Sequence, residues 1–197
     1  MQIPFFNEHF QVTALSRQNL AWLIVFSLYF EHEKISSAWI DARDYVFTDS
    51  TFREGKVDWT KTTAAITTLK NLYPGKIIIT QGFIGKTPDG FTTTLGREGS
   101  DYSAAIFASA LMAESVTIWK DVPVGMNADP KRLPAAVVFE ELPFKEAAEM
   151  TYYGASVIHP KTIKPLANRG IPLLVKNFTD PSLPGTRIHE CTVNHLP

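Results

Sequence analysis

Hydrophobic positions along this chain fall into short runs separated by polar and turn-forming residues. Residues 20–30 (LAWLIVFSLYF) are apolar almost throughout until Glu31, and 20–34 reads as a mostly buried helix. Residues 38–45 (AWIDARDY) alternate apolar with polar, the period of a half-buried strand. Residues 48–56 are polar, include Gly55 and predict a loop. Asp58 is a favoured N-cap for a helix on which Ala64, Ala65, Thr68, Leu69 and Leu72 share a face, and Pro74-Gly75 ends it. Residues 76–80 (KIIIT) and 115–119 (SVTIW) are continuous apolar runs of the kind buried in parallel sheets. Residues 144–153 predict a helix closed by Gly154. Pro160 starts another, with Pro165 inside it and Gly170 at its end. A strand at 172–176 and a short run at 186–188 follow, whereas residues 1–19 show no clear period. Strands alternating with helices predict an α/β fold, a three-layer αβα sandwich with a mainly parallel sheet.

The most informative run is 92–105, TTTLGREGSDYSAA, which joins a glycine loop to an apolar helix. Gly96 and Gly99 bracket Arg97, and Ser100 and Asp101 are both favoured N-cap residues. Tyr102, Ala105, Ile106, Ala108, Ser109 and Met112 then recur at helical spacing. A helix N-terminus receives anions, and Arg97 adds a planar fork suited to a carboxylate or phosphate. The same residues would also serve as a plain, well-capped core helix after a surface loop. A second glycine run is a decoy. Gly85-Lys86-Thr87 resembles the end of a P-loop, but the first glycine of that motif would fall on Thr80, and Pro88-Asp89-Gly90 makes a turn where the helix should begin. The long loop at 120–134 is of the kind that often carries function.

Four stretches, in this order, resemble the aspartate kinases of the amino acid kinase superfamily: Thr80-Gln81-Gly82-Phe83-Ile84-Gly85, then 92–105, then 118–130 (IWKDVPVGMNADP), then 146–160 (EAAEMTYYGASVIHP). A weaker fifth runs from Ile171-Pro172 to Gly185-Thr186, and together they cover residues 27–188. The resemblance implies transfer of the γ-phosphoryl of ATP, with Mg²⁺, to the side-chain carboxylate of L-aspartate. The product would be 4-phospho-L-aspartate, the first step towards lysine, threonine and methionine. On the family pattern Arg97 and Ser100 bind the substrate and Asp101 orients the catalytic lysine. Lys120-Asp121, Lys131 and the backbone at Ser156 and Val157 line the nucleotide.

Composition narrows this picture. With 19 basic and 20 acidic residues the net charge is −1, which gives no electrostatic case for nucleic acid or an anionic membrane. The apolar run at 20–30 is shorter than the roughly 20 residues a span needs. Cys191 is the single cysteine, so no internal disulfide framework exists and a reducing, cytoplasmic compartment fits. His159 before Pro160 suits a hydrogen bond at the helix start. His189, Cys191 and His195 match no usual zinc spacing.

Departures from the family are equally specific. Its catalytic lysine sits in an N-terminal Lys-Phe-Gly-Gly-Thr-Ser run, and none occurs here. Its substrate glutamate, in a Gly-Glu-Leu segment, has no match, Asn19-Leu20 standing nearest. Residues 1–26 are therefore unassigned, with the opening strand and glycine loop expected to be missing. Residues 27–188 are expected to be the later part of the catalytic domain and 189–197 a tail, with the C-terminal regulatory domains expected to be lacking and, without the opening strand, the fold expected to be incomplete. Glu98 replaces a common glycine, Val124-Gly125 inverts the usual order, and Met126 falls where some relatives carry tyrosine. An alternative of another class is a catalytically weak or silent nucleotide-binding fragment of the same fold; a kinase for another amino acid is a third reading. Pairing with a second copy would cover a sheet edge left bare.

Overall fold

The computed structural model describes residues 11–15, 20–120, 139–152 and 158–191. The described residues divide into two compact units, one of residues 20–103 and one of residues 11–15 with those from 104 to 191.

In the first unit α1 (Leu20–His32) leads into β2 (Ser37–Ile40), which pairs in parallel with β3 (Ile77–Thr80) from Ser37↔Ile77 to Ile40↔Thr80. Over residues 25–32 helix α1 is not mostly buried. Leu28 is 60 % exposed, and Val25, Phe26 and Tyr29 also face solvent. The helix is apolar on every side, so whichever face packs on β2 and β3, apolar side chains remain outside. Strand β2 stops at Ile40, short of the expected Tyr45, because the Asp41 carboxylate accepts the Arg43 N–H at 2.9 Å and caps a 3₁₀ turn at Ala42–Asp44.

Asp58 caps α2 (Trp59–Thr67) as expected, accepting the Lys61 N–H at 3.0 Å; α3 (Leu69–Leu72) follows at once. The buried face differs from the expected one. It consists of Thr62, Ile66 and Leu69, while Ala64 and Leu72 are exposed. Thr62 turns inward because its hydroxyl accepts the Phe47 N–H at 3.0 Å, a partner the apolar pattern cannot reveal. The expected loop at 81–90 holds a strand. β4 (Ile84–Lys86) pairs antiparallel with β5 (Thr92–Thr94) around the Pro88-Asp89-Gly90 turn, where the Gly90 N–H reaches the Thr87 carbonyl at 3.0 Å. Lys86-Thr87 therefore sit at the end of a hairpin strand and in its turn, with no helix behind them.

Helix α4 (Gly99–Leu111) carries the chain into the second unit, where β6 (Ser115–Lys120) follows. Residues 101–111 are buried on all sides. Met112 lies past the helix end at φ 52° and is 56 % exposed, so the expected apolar stripe stops at Ser109. The Ala113 N–H bonds back to the Ala108 carbonyl at 2.9 Å, closing the helix with a non-glycine left-handed residue.

Five strands form the sheet of the second unit in the order β1-β6-β8-β9-β7, with β7 at Glu141–Pro143, β8 at Leu173–Asn177 and β9 at Thr186–His189. All neighbours are parallel except β8 and β9. Val116, Ile118, Leu173, Val175 and Ile188 are buried in it, and α5 (Phe144–Tyr152) and α6 (Pro160–Ala167) belong to the same unit. One strand stands where none was expected. β1 (Gln11–Leu15) runs parallel to β6, from Gln11↔Ser115 to Leu15↔Trp119. Its sequence, QVTAL, is too short and too mixed to announce a strand, and its place follows from the β6 edge it pairs with.

Candidate functional site

The loop between β5 and α4 is a tight turn, closed by the Gly99 N–H to the Gly96 carbonyl at 3.1 Å. Arg97 and Glu98 are its two central residues, with Glu98 at φ 53°. A turn whose third residue is left-handed asks for glycine or asparagine. That requirement explains the glycine expected at 98 and makes glutamate a strained occupant. The Glu98 carbonyl accepts the Tyr102 N–H at 3.1 Å, the first bond of the helix. Ser100 and Asp101 consequently lie inside the first turn of α4, and neither is its N-cap. Asp101 is buried, 3 % exposed; Ser100 is half-buried; Arg97 faces solvent. The Arg97 guanidinium makes no ion pair among the described residues.

What holds this turn was not anticipated from the sequence. Phe83, just after β3, has φ 74°, and its carbonyl accepts the Leu95 N–H at 2.8 Å. Its ring covers Gly99, where a Cβ would meet ring carbon Cδ2 at 2.5 Å. Gly82 also approaches the helix start, since a Cβ there would stand 3.0 Å from the Ser100 Cα. The Phe83 N–H donates to the Ser103 hydroxyl at 2.8 Å, and that hydroxyl donates to the Gly99 carbonyl at 2.9 Å. The available signal was the pair of glycines flanking these contacts, at 82 and 99.

Beside this turn the C-terminal ends of β2 and β3 are joined by Gln81, whose side-chain oxygen accepts the Ala42 N–H at 2.9 Å. Asp41 grips the Arg43 guanidinium, with Nε to Oδ1 at 3.0 Å, and Arg43 reaches on to the Thr92 hydroxyl at 3.3 Å. The Arg43 side chain holds the Asp41 carboxyl below its usual range, against a smaller opposing effect of burial. Burial alone pushes the Tyr102 phenol up. These contacts fix strand ends, the usual place for ligands in open parallel sheets.

In the second unit Lys120 ends β6, half-buried, and its carbonyl accepts the Phe178 N–H at 3.0 Å. Lys176 lies over the neighbouring Trp119 ring, 5.4 Å from its centroid. His159 caps α6 as expected, its Nδ1 accepting the Lys161 N–H at 3.1 Å. Asp121, Lys131, Ser156 and Val157 lie outside the described residues, as do Val124-Gly125, Met126, Gly154 and His195. Among the described residues no three His, Cys, Asp or Glu side chains gather to hold a metal ion, and no helix is long and apolar enough to cross a membrane.

The profile of the amino acid kinase family matches residues 11–177. The lysine-sensitive aspartokinase 3 of Escherichia coli (strain K12) is 39 % identical over 182 residues, 91 % of this chain and 40 % of that protein. A chloroplastic bifunctional aspartokinase/homoserine dehydrogenase 2 of Arabidopsis thaliana is 42 % identical over 151 residues, 76 % of this chain and 16 % of that protein. Among solved structures, E. coli aspartokinase III in complex with aspartate and ADP superposes with a TM-score of 0.82 at 38 % identity. That superposition covers 87 % of this chain and 39 % of the other. The chain therefore spans well under half the length of these relatives.

Proposed function

Because this chain belongs to the amino acid kinase family, we propose that it is catalytic-region sequence of an aspartate kinase, transferring the γ-phosphoryl of ATP to the side-chain carboxylate of L-aspartate. The observation carrying this reading is the solvent-facing Arg97, held in a braced turn at the N-terminus of a buried helix. A bidentate guanidinium and the positive end of a helix dipole together suit an amino acid carboxylate. The resemblance to a protein whose structure contains aspartate and ADP supports the choice of substrates.

In this reaction an oxygen of the aspartate side chain forms a bond to the γ-phosphorus while the bond from that phosphorus to the bridging oxygen of ADP breaks. The carboxylate attacks in its ionised form, so no general base is required. The protein's task is positioning and positive charge around the transferring group. Arg97 and the Ser100 hydroxyl bind the amino acid; Asp101 orients a lysine; Lys120, Asp121, Lys131 and the backbone at Ser156 and Val157 receive the nucleotide. Mg²⁺ shields the triphosphate when it accompanies ATP. The described residues offer it no cage of their own, and no step here depends on one. A cytoplasmic location is part of the proposal.

A second reading, a nucleotide-binding module with slow or absent transfer, is favoured by one observation. Gln11–Leu15 contains no lysine, and no Lys-Phe-Gly-Gly run occurs anywhere in the sequence. One pair of measurements separates the readings. Hydroxamate trapping of the acyl phosphate at turnover within about 1–100 per second supports the kinase. Saturable MgATP binding by calorimetry with no trapped product supports the module. If neither signal is seen, both readings fail.

A further inference from the structure

We propose that Ser103 is a positioning residue for the amino acid site, acting through Phe83 on the turn that carries Arg97; the proposal rests on the aspartate kinase reading. A phenylalanine at φ 74° occupies backbone space that L-residues with a Cβ avoid, and it stays there only where its surroundings over-determine it. Three contacts do so. The Phe83 N–H donates to the Ser103 hydroxyl at 2.8 Å, the Phe83 carbonyl accepts the Leu95 N–H at 2.8 Å, and the Phe83 ring lies against Gly99. Leu95 and Gly99 are the two ends of the loop that contains Arg97. Phe83 thus grips both ends, and Ser103 grips Phe83.

The hydroxyl of Ser103 is committed in both directions. Its single proton goes to the Gly99 carbonyl at 2.9 Å, one helical turn back, and a lone pair takes the Phe83 N–H. Ser103 is 4 % exposed, so water cannot readily replace it. Alanine would leave the Phe83 N–H without its acceptor, and Phe83 could then relax towards negative φ, releasing the loop from both ends. Threonine keeps the hydroxyl. Ser103 itself touches no substrate in this account; its effect is on where Arg97 is held.

The test uses the full chain and three readouts: KM for L-aspartate, KM for MgATP, and amide hydrogen exchange. Ser103→Ala is expected to raise the aspartate KM about five- to tenfold, the equivalent of one lost hydrogen bond, and to leave the MgATP KM within about twofold. Exchange should accelerate at the Phe83 and Leu95 amides, with Val116 in β6 unchanged. Ser103→Thr should match the parent in all three. In a Phe83→Gly background, where glycine adopts this φ freely, Ser103→Ala should add little. Should Ser103→Ala fail to fold, Ser103→Cys, with a weak sulfur acceptor, takes its place. An unchanged aspartate KM in Ser103→Ala overturns the proposal even if exchange rises, as does a Ser103→Thr no better than alanine. If the parent neither binds nor phosphorylates L-aspartate, it is the aspartate reading that fails. The clamp is then decided by exchange alone: acceleration confined to residues 82–99 and reversed by threonine upholds it, and unchanged exchange overturns it.

Discussion

The hydroxyls of Thr48 and Thr93 lie 2.7 Å apart, both buried, and tie the segment after the 3₁₀ turn to the middle of β5. Thr48 also donates to the Asp49 carbonyl at 2.9 Å, so its proton is committed there and Thr93 must supply the proton between the two. Thr93→Val should therefore cost about 0.5–1.5 kcal/mol, the net worth of one buried hydrogen bond. The double change Thr48→Val with Thr93→Val should cost less than the sum of the single changes, because no hydroxyl is left facing an apolar group. Urea unfolding of the four proteins checks this; strict additivity would mean the pair does not interact.

Two neighbouring residues in the Arg97 turn should respond to opposite changes. Glu98 sits at φ 53°, so Glu98→Gly removes a left-handed strain of about 1–2 kcal/mol while returning roughly 0.4–1 kcal/mol of entropy to the unfolded chain. A small net gain in stability is expected. Gly99→Ala inserts a methyl 2.5 Å from the Phe83 ring and should cost about 1–3 kcal/mol by overpacking. Thermal unfolding of both variants gives the signs, and a destabilised Glu98→Gly would show that the glutamate's own contacts outweigh its backbone.

These opposite signs also mark what was legible in the sequence. Glycine at 96 and 99, the apolar helix behind them and the cap at Asp58 were readable because each is a local requirement on one residue's backbone or side chain. The continuous apolar runs at 76–80 and 115–119 were readable as strands, and the strands stand at Ile77–Thr80 and Ser115–Lys120. Strand β1 was not, since QVTAL becomes a strand through its pairing with β6. Thr62 facing inward and Phe83 left-handed depend on partners at Phe47 and Ser103, 15 and 20 positions away. Around the candidate site, Arg97 stood out in the sequence, and Phe83 and Ser103, which brace its turn, did not.

Asp49 gives the loop at 49–56 a pH dependence of definite sign. Its Oδ1 accepts the Lys56 N–H at 3.0 Å and the Thr51 N–H at 3.1 Å, and these bonds, Lys56 first, hold its carboxyl below the ordinary 3.8. A folded pKa below the unfolded one means the charged form stabilises the fold above 3.8, and that contribution is lost as pH falls through the folded value. The parent should therefore be more stable than Asp49→Asn at neutral pH, and the difference should shrink once pH drops below 3.8. Urea midpoints of both proteins against pH measure it. A difference that stays constant into acid would mean the carboxylate charge contributes nothing.

Arg97→Ala tests the amino acid site directly. Charge-assisted contacts from a guanidinium to a carboxylate are worth about 1.5–3 kcal/mol, so aspartate KM or Kd should rise roughly ten- to hundredfold. MgATP binding should be unaffected, because the residues proposed for the nucleotide lie elsewhere in the sequence. Arg97→Lys should recover part of the loss: it restores the charge but lacks the planar fork that meets both carboxylate oxygens. The graded order of arginine, lysine and alanine in aspartate affinity, read by calorimetry so that it does not depend on turnover, is the outcome that assigns Arg97 to the substrate. Equal affinities for all three would remove it from that role and leave the turn with a structural duty alone.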